Sequence, residues 1–115
     1  MRVNAQNTTK FLNRDFWKSE PSVLDIKKKM KEGHDPTEKG PFSFDGVAYA
    51  IIDNAPLESI QYMLSLEGNP VTKPTHGGLK YLHWAACKGN IEVMKHLLKL
   101  GADPNASASR GTNML

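Results

Sequence analysis

The amino-acid sequence predicts an all-α protein in which pairs of short helices stack on one another into an array. The first observation behind this prediction is an internal period: Pro36, Pro70 and Pro104 lie 34 residues apart (70 − 36 and 104 − 70), and each follows Asp or Asn. The second is the segment 78–105, in which apolar residues recur at helical spacing between glycines that can end a helix. A period in the low thirties is typical of a repeated two-helix unit, and helices this short are stable only when packed against neighbours.

The segment 78–105 contains the clearest pair of helices. Gly89 is placed to end the first helix in the left-handed conformation, and Asn90 is a suitable N-cap for the second. Gly101 is expected to end the second helix. The residues expected to face the core are Leu82, Ala85 and Ala86 in the first helix and Ile91, Met94, Leu97 and Leu98 in the second.

This segment resembles an ankyrin repeat, whose pattern is Gly-x-Thr-Pro-Leu-His-x-Ala followed by Gly, Leu-Leu and Gly-Ala-Asp. Lys80 and Tyr81 stand where the family prefers Thr-Pro. The resemblance implies an ankyrin-type helix-turn-helix solenoid with short hairpin loops, in which His83 is a structural histidine that hydrogen-bonds neighbouring loops. The residues that carry the resemblance are Gly78, Leu82, His83, Ala85, Ala86, Gly89, Leu97, Leu98, Gly101, Ala102 and Asp103.

We expect about three repeats and the incomplete beginning of a fourth. Residues 1–40 are predicted to form a degenerate N-terminal capping repeat, residues 41–74 an ankyrin-like repeat, and residues 75–107 the well-matched repeat. Residues 108–115 are predicted to begin a further, truncated repeat. In the middle repeat Asn54 stands near the position where glycine is usual. The expected core residues of that repeat are Val47, Ala50 and Ile51 in its first helix and Leu57, Ile60, Met63 and Leu64 in its second.

The capping repeat has one apolar face and one charged face, as the end of an array requires. Thr8 or Thr9 is expected to cap its first helix, and Ser22 followed by Asp25 predicts a capping box at the start of its second. The apolar positions are Phe11, Leu12 and Phe16 in the first helix and Val23, Ile26 and Met30 in the second, with Lys27, Lys28, Lys29 and Lys31 around them.

Three aromatic residues, Phe16, Tyr49 and Trp84, occupy the first helix of each repeat at spacings of 33 and 35 residues (49 − 16 and 84 − 49). Stacked repeats are expected to bring them into a ladder of ring contacts. Core packing is the favoured interpretation of this ladder, ahead of a ligand-binding role.

Composition limits the classes of function. The chain has 115 residues, 39% of them hydrophobic and 23% charged, which is ordinary for a soluble folded protein. A net charge of +3 is too small to imply nucleic-acid binding by itself. A single cysteine, Cys87, favours a reducing compartment, and the sequence shows no signal peptide or membrane span. We therefore expect a cytoplasmic protein, with a secreted effector left open.

Candidate catalytic and ligand-binding motifs are incomplete. His83 and Cys87 are four residues apart, as a nucleophile and base or a metal pair would be, but no second cysteine or orienting carboxylate completes the set. His34, His76 and His96 lack ligand spacing. Gly77-Gly78 lacks the residues of a phosphate loop. It is interpreted instead as a hairpin turn between repeats. We expect no enzyme activity, no metal and no cofactor.

The resemblance implies a scaffold that binds a protein partner through its loop tips and concave helix face, since such arrays present an extended variable surface. Leu79, Phe44 and Ile52 are the expected apolar anchors. The alternative function is binding of nucleic acid or an anionic surface through the basic cap at residues 27–31. Separately, the C-terminal end is expected to self-associate or fray. The predicted contact residues are Phe44, Ile52, Asp53, His76, Gly77, Leu79, Cys87, Lys88, Ser109 and Arg110.

Overall fold

The computed structural model describes residues 9–106 as six α-helices arranged in three successive pairs. Single-turn 3-10 helices precede the pairs, and the described residues contain no β-strand, only an isolated bridge between Lys39 and Asp45. The all-α prediction is confirmed. The helices are α1 (Arg14–Lys18), α2 (Val23–Lys31), α3 (Gly46–Ile52), α4 (Leu57–Leu64), α5 (Tyr81–Lys88) and α6 (Ile91–Lys99), and the 3-10 helices are Lys10–Leu12, Pro41–Ser43 and His76–Gly78.

The helices form two layers. The first helices of the pairs, α1, α3 and α5, contact one another in sequence order, and α2, α4 and α6 do the same on the other side. Within the second and third pairs, α3 contacts α4 and α5 contacts α6. Each pair therefore buries its apolar face against the next pair, which is the arrangement of a helix-turn-helix solenoid.

Local sequence signals explain where the helices begin and end. Ser22 and Asp25 form the predicted capping box, with the Ser22 amide 2.9 Å from Asp25 Oδ2 and the Asp25 amide 3.1 Å from Ser22 Oγ. The hydrogen bond from the Ser22 backbone holds the pKa of Asp25 below its usual value. Gly89 ends α5 with a φ of 67°, and Asn90 caps α6. Asn54 adopts a φ of 56° at the matching turn between α3 and α4, as expected for a residue that replaces glycine.

The 34-residue period marks turns that differ in detail. Asp35 Oδ1 accepts the Thr37 amide and Asp103 Oδ1 accepts the Asn105 amide, each over 2.8 Å, so both carboxylates hold an Asp-Pro turn together. The matching Asn69 is buried, and its Nδ2 donates to the Met63 carbonyl over 3.0 Å. The 34-residue period therefore marks a repeated turn, and at its central copy the residue before proline, Asn69, is buried in the core.

The core runs continuously through the three pairs. The predicted core residues of α3 and α4 are buried, apart from Leu57, which is half-buried. In the first pair Phe11 and Trp17 are fully buried, with Trp17 Nε1 donating to the Phe11 carbonyl over 2.8 Å, whereas Phe16 is only half-buried. Trp17 was not predicted as a core residue, because the neighbouring Phe16 fitted the spacing expected of a helical core face. The fully buried apolar residues are Phe11, Trp17, Ile26, Val47, Ala48, Ala50, Ile51, Met63, Tyr81, Ala85 and Leu97.

The predicted stripe of α6 is partly wrong. Ile91 is 58% exposed and Leu98 42% exposed, whereas Val93 and Leu97 are 1% and 0% exposed. Val93 and Leu97 are four residues apart and share the face that meets α4 and α5, and Ile91 and Leu98 lie on another face. The sequence alone could not choose between two adjacent apolar faces, because the helix has leucine at both positions 97 and 98.

A buried polar network connects the second and third pairs and was not anticipated from the sequence. Asp45 is 0% exposed; its Oδ1 accepts the Ala48 amide over 2.9 Å, and its Oδ2 lies 2.5 Å from Tyr81 Oη and 2.8 Å from Lys73 Nζ. Burial, followed by the nearby Asp45 charge, raises the pKa of the Tyr81 hydroxyl. Lys73 Nζ also donates to the Thr37 carbonyl over 2.7 Å and to Asn69 Oδ1 over 2.9 Å. The network thus links α3 and α5 to the turns that precede and follow the middle pair.

Candidate functional site

Two turns with the same backbone shape form loop tips, residues 40–44 before α3 and residues 75–79 before α5. Each is closed by a 2.8 Å hydrogen bond, from the Gly40 amide to the Phe44 carbonyl and from the Thr75 amide to the Leu79 carbonyl. The predicted Gly77-Gly78 turn is therefore present, with positive φ at both glycines.

Phe42 and Ser43 occupy the glycine positions of the first loop tip, with φ values of 62° and 67°. This left-handed conformation costs a residue with a side chain about 1–2 kcal/mol. The Phe42 side chain is nevertheless 77% exposed. Residues with strained backbone conformations cluster at functional sites. Phe42 combines such a conformation with an exposed aromatic ring.

The aromatic row, defined as Phe42, Phe44, Tyr49, His76 and Trp84, connects the loop tips to the first helices. The Phe44 ring stacks on His76 at a centroid distance of 4.8 Å and on Tyr49 at 5.2 Å, and lies 5.5 Å from Trp84. The Phe42 and His76 rings are T-shaped with centroids 6.4 Å apart, and His76 Nδ1 lies 2.9 Å from the Phe42 carbonyl oxygen. Tyr49 and Trp84 are thus linked through Phe44, a loop residue absent from the predicted ladder.

An arginine extends the aromatic row onto the first pair. Arg14 Cζ lies 5.8 Å from the Tyr49 ring centroid. Its guanidinium binds Asp53 through two contacts, Nη2 to Oδ1 at 2.6 Å and Nε to Oδ2 at 3.0 Å. These hydrogen bonds raise the pKa of Arg14. The Arg14 side chain is 48% exposed and that of Asp53 only 3%, so the surface at this point presents a cation.

The predicted contact residues fall into groups. Phe44 and His76 are in direct contact within the aromatic row, and Gly77 and Leu79 lie on the adjoining loop tip. Ile52, at the end of α3, is half-buried, and the side chain of Asp53, the next residue, is buried. Cys87 and Lys88 lie at the end of α5 and are exposed. Ser109 and Arg110 lie outside the described residues, as does the predicted beginning of a fourth repeat. Phe42 and Arg14 were not among the predicted contact residues. The available signal for Phe42 was its position directly after Gly-Pro in a turn.

His83 is held in a structural role, as the resemblance implied. It is 4% exposed, its Nδ1 accepts the Lys80 amide over 2.7 Å, and its Nε2 lies 3.1 Å from the Ala106 carbonyl oxygen. The backbone amide of Lys80, which stands where the family prefers threonine, therefore donates a hydrogen bond to His83. Both ring nitrogens are engaged, so His83 has no free nitrogen with which to activate Cys87. Within residues 9–106, no three His, Cys, Asp or Glu side chains cluster as a metal site would require.

The lysines of α2 are partly occupied by contacts within the chain. Lys27 Nζ lies 5.5 Å above the Tyr62 ring, and Lys29 Nζ lies 3.3 Å from Glu32 Oε1. Lys28 and Lys31 line a hollow with Lys27 and the 76% exposed Leu24. The basic cap is therefore a mixed surface rather than a row of free ammonium groups.

Comparisons with known proteins agree with the fold. The ankyrin-repeat family model matches residues 81–109. The chain is 31% identical over 96 residues to palmitoyltransferase AKR1 of Kluyveromyces lactis and 29% identical over 96 residues to that of Lachancea kluyveri, covering 84% of the chain in each case. Over 46 residues, or 40% of the chain, it is 46% identical to potassium channel AKT1 of Arabidopsis thaliana.

The matched regions are small parts of those relatives. The chain spans 12% of each palmitoyltransferase and 5% of the potassium channel. In the described range 9–106, no helix has both the length and the apolar character needed to cross a bilayer. Residues 81–109 match the ankyrin-repeat family model and contain one of the helix pairs that stack in two layers, so this part of the chain is an ankyrin repeat.

Proposed function

We propose that this chain is a non-catalytic scaffold that binds a protein partner through its loop tips and the layer of first helices. Ankyrin repeats generally mediate protein–protein interaction, and a stacked array offers surface positions that can vary without disturbing the core. The observation that carries the proposal is the aromatic row with Arg14 at one end and the exposed Phe42 at the other.

The composition of this surface supports protein binding. Aromatic and arginine side chains contribute a large share of binding energy at protein interfaces. Aromatic side chains do so because they bury much area with few rotatable bonds. Phe44 is held between Tyr49 and His76, so its ring is already ordered before a partner arrives. A partner would therefore lose little free energy to the ordering of these side chains.

The predicted contact residues, together with Phe42 and Arg14, take different roles in this proposal. Phe42 and Leu79 at the loop tips, with Ile52 at the end of α3, provide apolar contacts. Arg14 presents the charge at the first pair, and Asp53 positions it. Cys87 and Lys88 extend the surface along α5, and Gly77 allows a partner backbone to approach the second loop tip. Ser109 and Arg110 remain predicted contacts.

Phe42→Ala is expected to weaken partner binding about tenfold or more while leaving the melting temperature nearly unchanged, since an exposed aromatic anchor contributes to binding and little to folding.

The partner can be identified by placing a photo-crosslinking phenylalanine analogue at position 42 in the natural source. Position 91 provides the matched control, because Ile91 is also exposed but lies on α6. Crosslinks to the same protein from position 91 but none from position 42 would contradict the proposed surface.

The alternative of nucleic-acid or anionic-surface binding receives less support, since Lys27 and Lys29 already have contacts within the chain. Replacing Lys27, Lys28 and Lys29 together by glutamine is expected to change the free energy of unfolding by less than about 1 kcal/mol and to leave partner binding intact. Urea unfolding and a binding titration at two salt concentrations measure both effects. Loss of binding with an intact fold would move the binding surface to the basic cap.

A further inference from the structure

The outer face of α2 has opposite charges on the two sides of one exposed leucine. Leu24 is 76% exposed and borders two hollows. The hollow toward the beginning of α2 contains Glu20 and Glu58, with Val23, Pro56, Ser22 and Ser59 in its walls. The hollow along the rest of the helix contains Lys27, Lys28 and Lys31. Acidic groups therefore lie on one side of Leu24 and basic groups on the other.

Such a face is complementary to itself. A two-fold axis passing beside Leu24 would place α2 of a second copy antiparallel to the first, because a two-fold interface presents the same patch on both partners. Lys28 and Lys31, one and two turns beyond Leu24, would then face Glu20 and Glu58 of the second copy. The leucines would meet at the centre, where they remove each other from water.

We propose that this chain self-associates through the outer face of α2, with a second copy of the chain as the occupant. The contact consists of Leu24 against Leu24 of the second copy, flanked on each side by lysines against glutamates. It is separate from the aromatic row, so a dimer would present two partner-binding surfaces and could bind a bivalent partner more tightly than one chain does. The acidic hollow beside Leu24 favours a second copy over an anionic lipid surface, which would be repelled by Glu20 and Glu58.

The association is expected to be weak. One helix face and one leucine per chain bury less than the roughly 1,200 Å² of a typical stable interface, so a transient dimer is the expected result. Sedimentation equilibrium of the full chain at protein concentrations from about 0.01 to 1 mM should show a mass that rises toward twice the monomer. A mass that stays at one chain over this range overturns the proposal.

Charge exchange provides the decisive test. In one variant Glu20→Lys and Glu58→Lys make the face basic, and in the other Lys28→Glu and Lys31→Glu make it acidic. Each variant alone is expected to associate about tenfold more weakly than the natural chain, because like charges would face one another. An equimolar mixture should recover association, since every facing pair is again of opposite sign. A mixture as weak as its components overturns the proposal.

Two further variants distinguish this face from other modes of association. Leu24→Glu should abolish dimer formation, whereas Leu98→Glu, at an exposed leucine of α6, should leave it unchanged. Melting curves establish that each variant is folded. Association that survives Leu24→Glu and is lost in Leu98→Glu would place the contact on α6 and overturn the proposal. Leu24-dependent sedimentation of a monomeric chain with phosphatidylserine vesicles would also overturn it and identify the face as lipid-binding.

Discussion

Leu97→Ala is expected to lower the free energy of unfolding by about 2–5 kcal/mol, the usual cost of removing a buried leucine and leaving a cavity. Leu97 is 0% exposed and lies on the face of α6 that meets α4 and α5. A small array has a free energy of unfolding only slightly larger than this loss, so a substantial part of the variant should be unfolded at room temperature. Urea unfolding followed by circular dichroism measures the change.

The neighbouring leucine provides a matched control. Leu98 differs from Leu97 by one position and is 42% exposed, so Leu98→Ala removes the same atoms from a partly solvated site. We expect it to cost less than about 1 kcal/mol, as substitutions away from the core do. Equal losses for the two variants would show that both leucines are buried in solution, as in the stripe first predicted from the sequence.

Lys73→Met is expected to lower the free energy of unfolding by about 3–5 kcal/mol, because it leaves the Asp45 carboxylate buried without its cation. Methionine keeps an apolar stem of comparable length, so lost packing contributes little. The Lys73 side chain is 10% exposed and that of Asp45 is 0% exposed. The Thr37 carbonyl and Asn69 Oδ1 lose a donor as well. The shift in the urea midpoint at constant slope gives the change.

Two controls identify the buried charge as the cause. Lys29→Met removes a lysine whose partner, Glu32, lies at the surface, and should cost less than about 0.5 kcal/mol. Adding Asp45→Asn to Lys73→Met should recover part of the loss, because the remaining amide carries no charge and can still accept the Ala48 amide. A double variant less stable than Lys73→Met would argue that Asp45 contributes mainly through Tyr81.

Local chemistry made several features of the fold predictable. The capping box of Ser22 and Asp25, the Asn90 cap and the left-handed Gly89 depend on backbone groups only a few residues away. Such interactions are encoded within one turn of chain, so a residue pattern is enough to identify them. The role of His83 was implied instead by the resemblance to the ankyrin repeat, since one of its two partners, the Ala106 carbonyl, is 23 residues away in the chain.

The candidate surface was predictable only in part. Phe44 and His76 were expected contacts, and the structure places their rings 4.8 Å apart although 32 residues (76 − 44) separate them. Phe42 was missed because exposure cannot be read from residue type: the Phe42 side chain is 77% exposed, whereas the Phe11 side chain is 0% exposed. Whether an aromatic ring is buried in the core or exposed for contact depends on which residues of other repeats pack against it.

The sequence by itself determined the all-α class, the repeated two-helix unit and most helix ends of this protein, because spacing and capping are local. Only the tertiary structure decided which face of α6 is buried and that Asp45, Lys73 and Tyr81 meet in the core. These outcomes depend on contacts between residues far apart in the chain, and two competing faces or partners can look equally suitable in sequence. Burial then selects one arrangement, since an unpaired charge or an exposed core leucine would each cost several times the thermal energy.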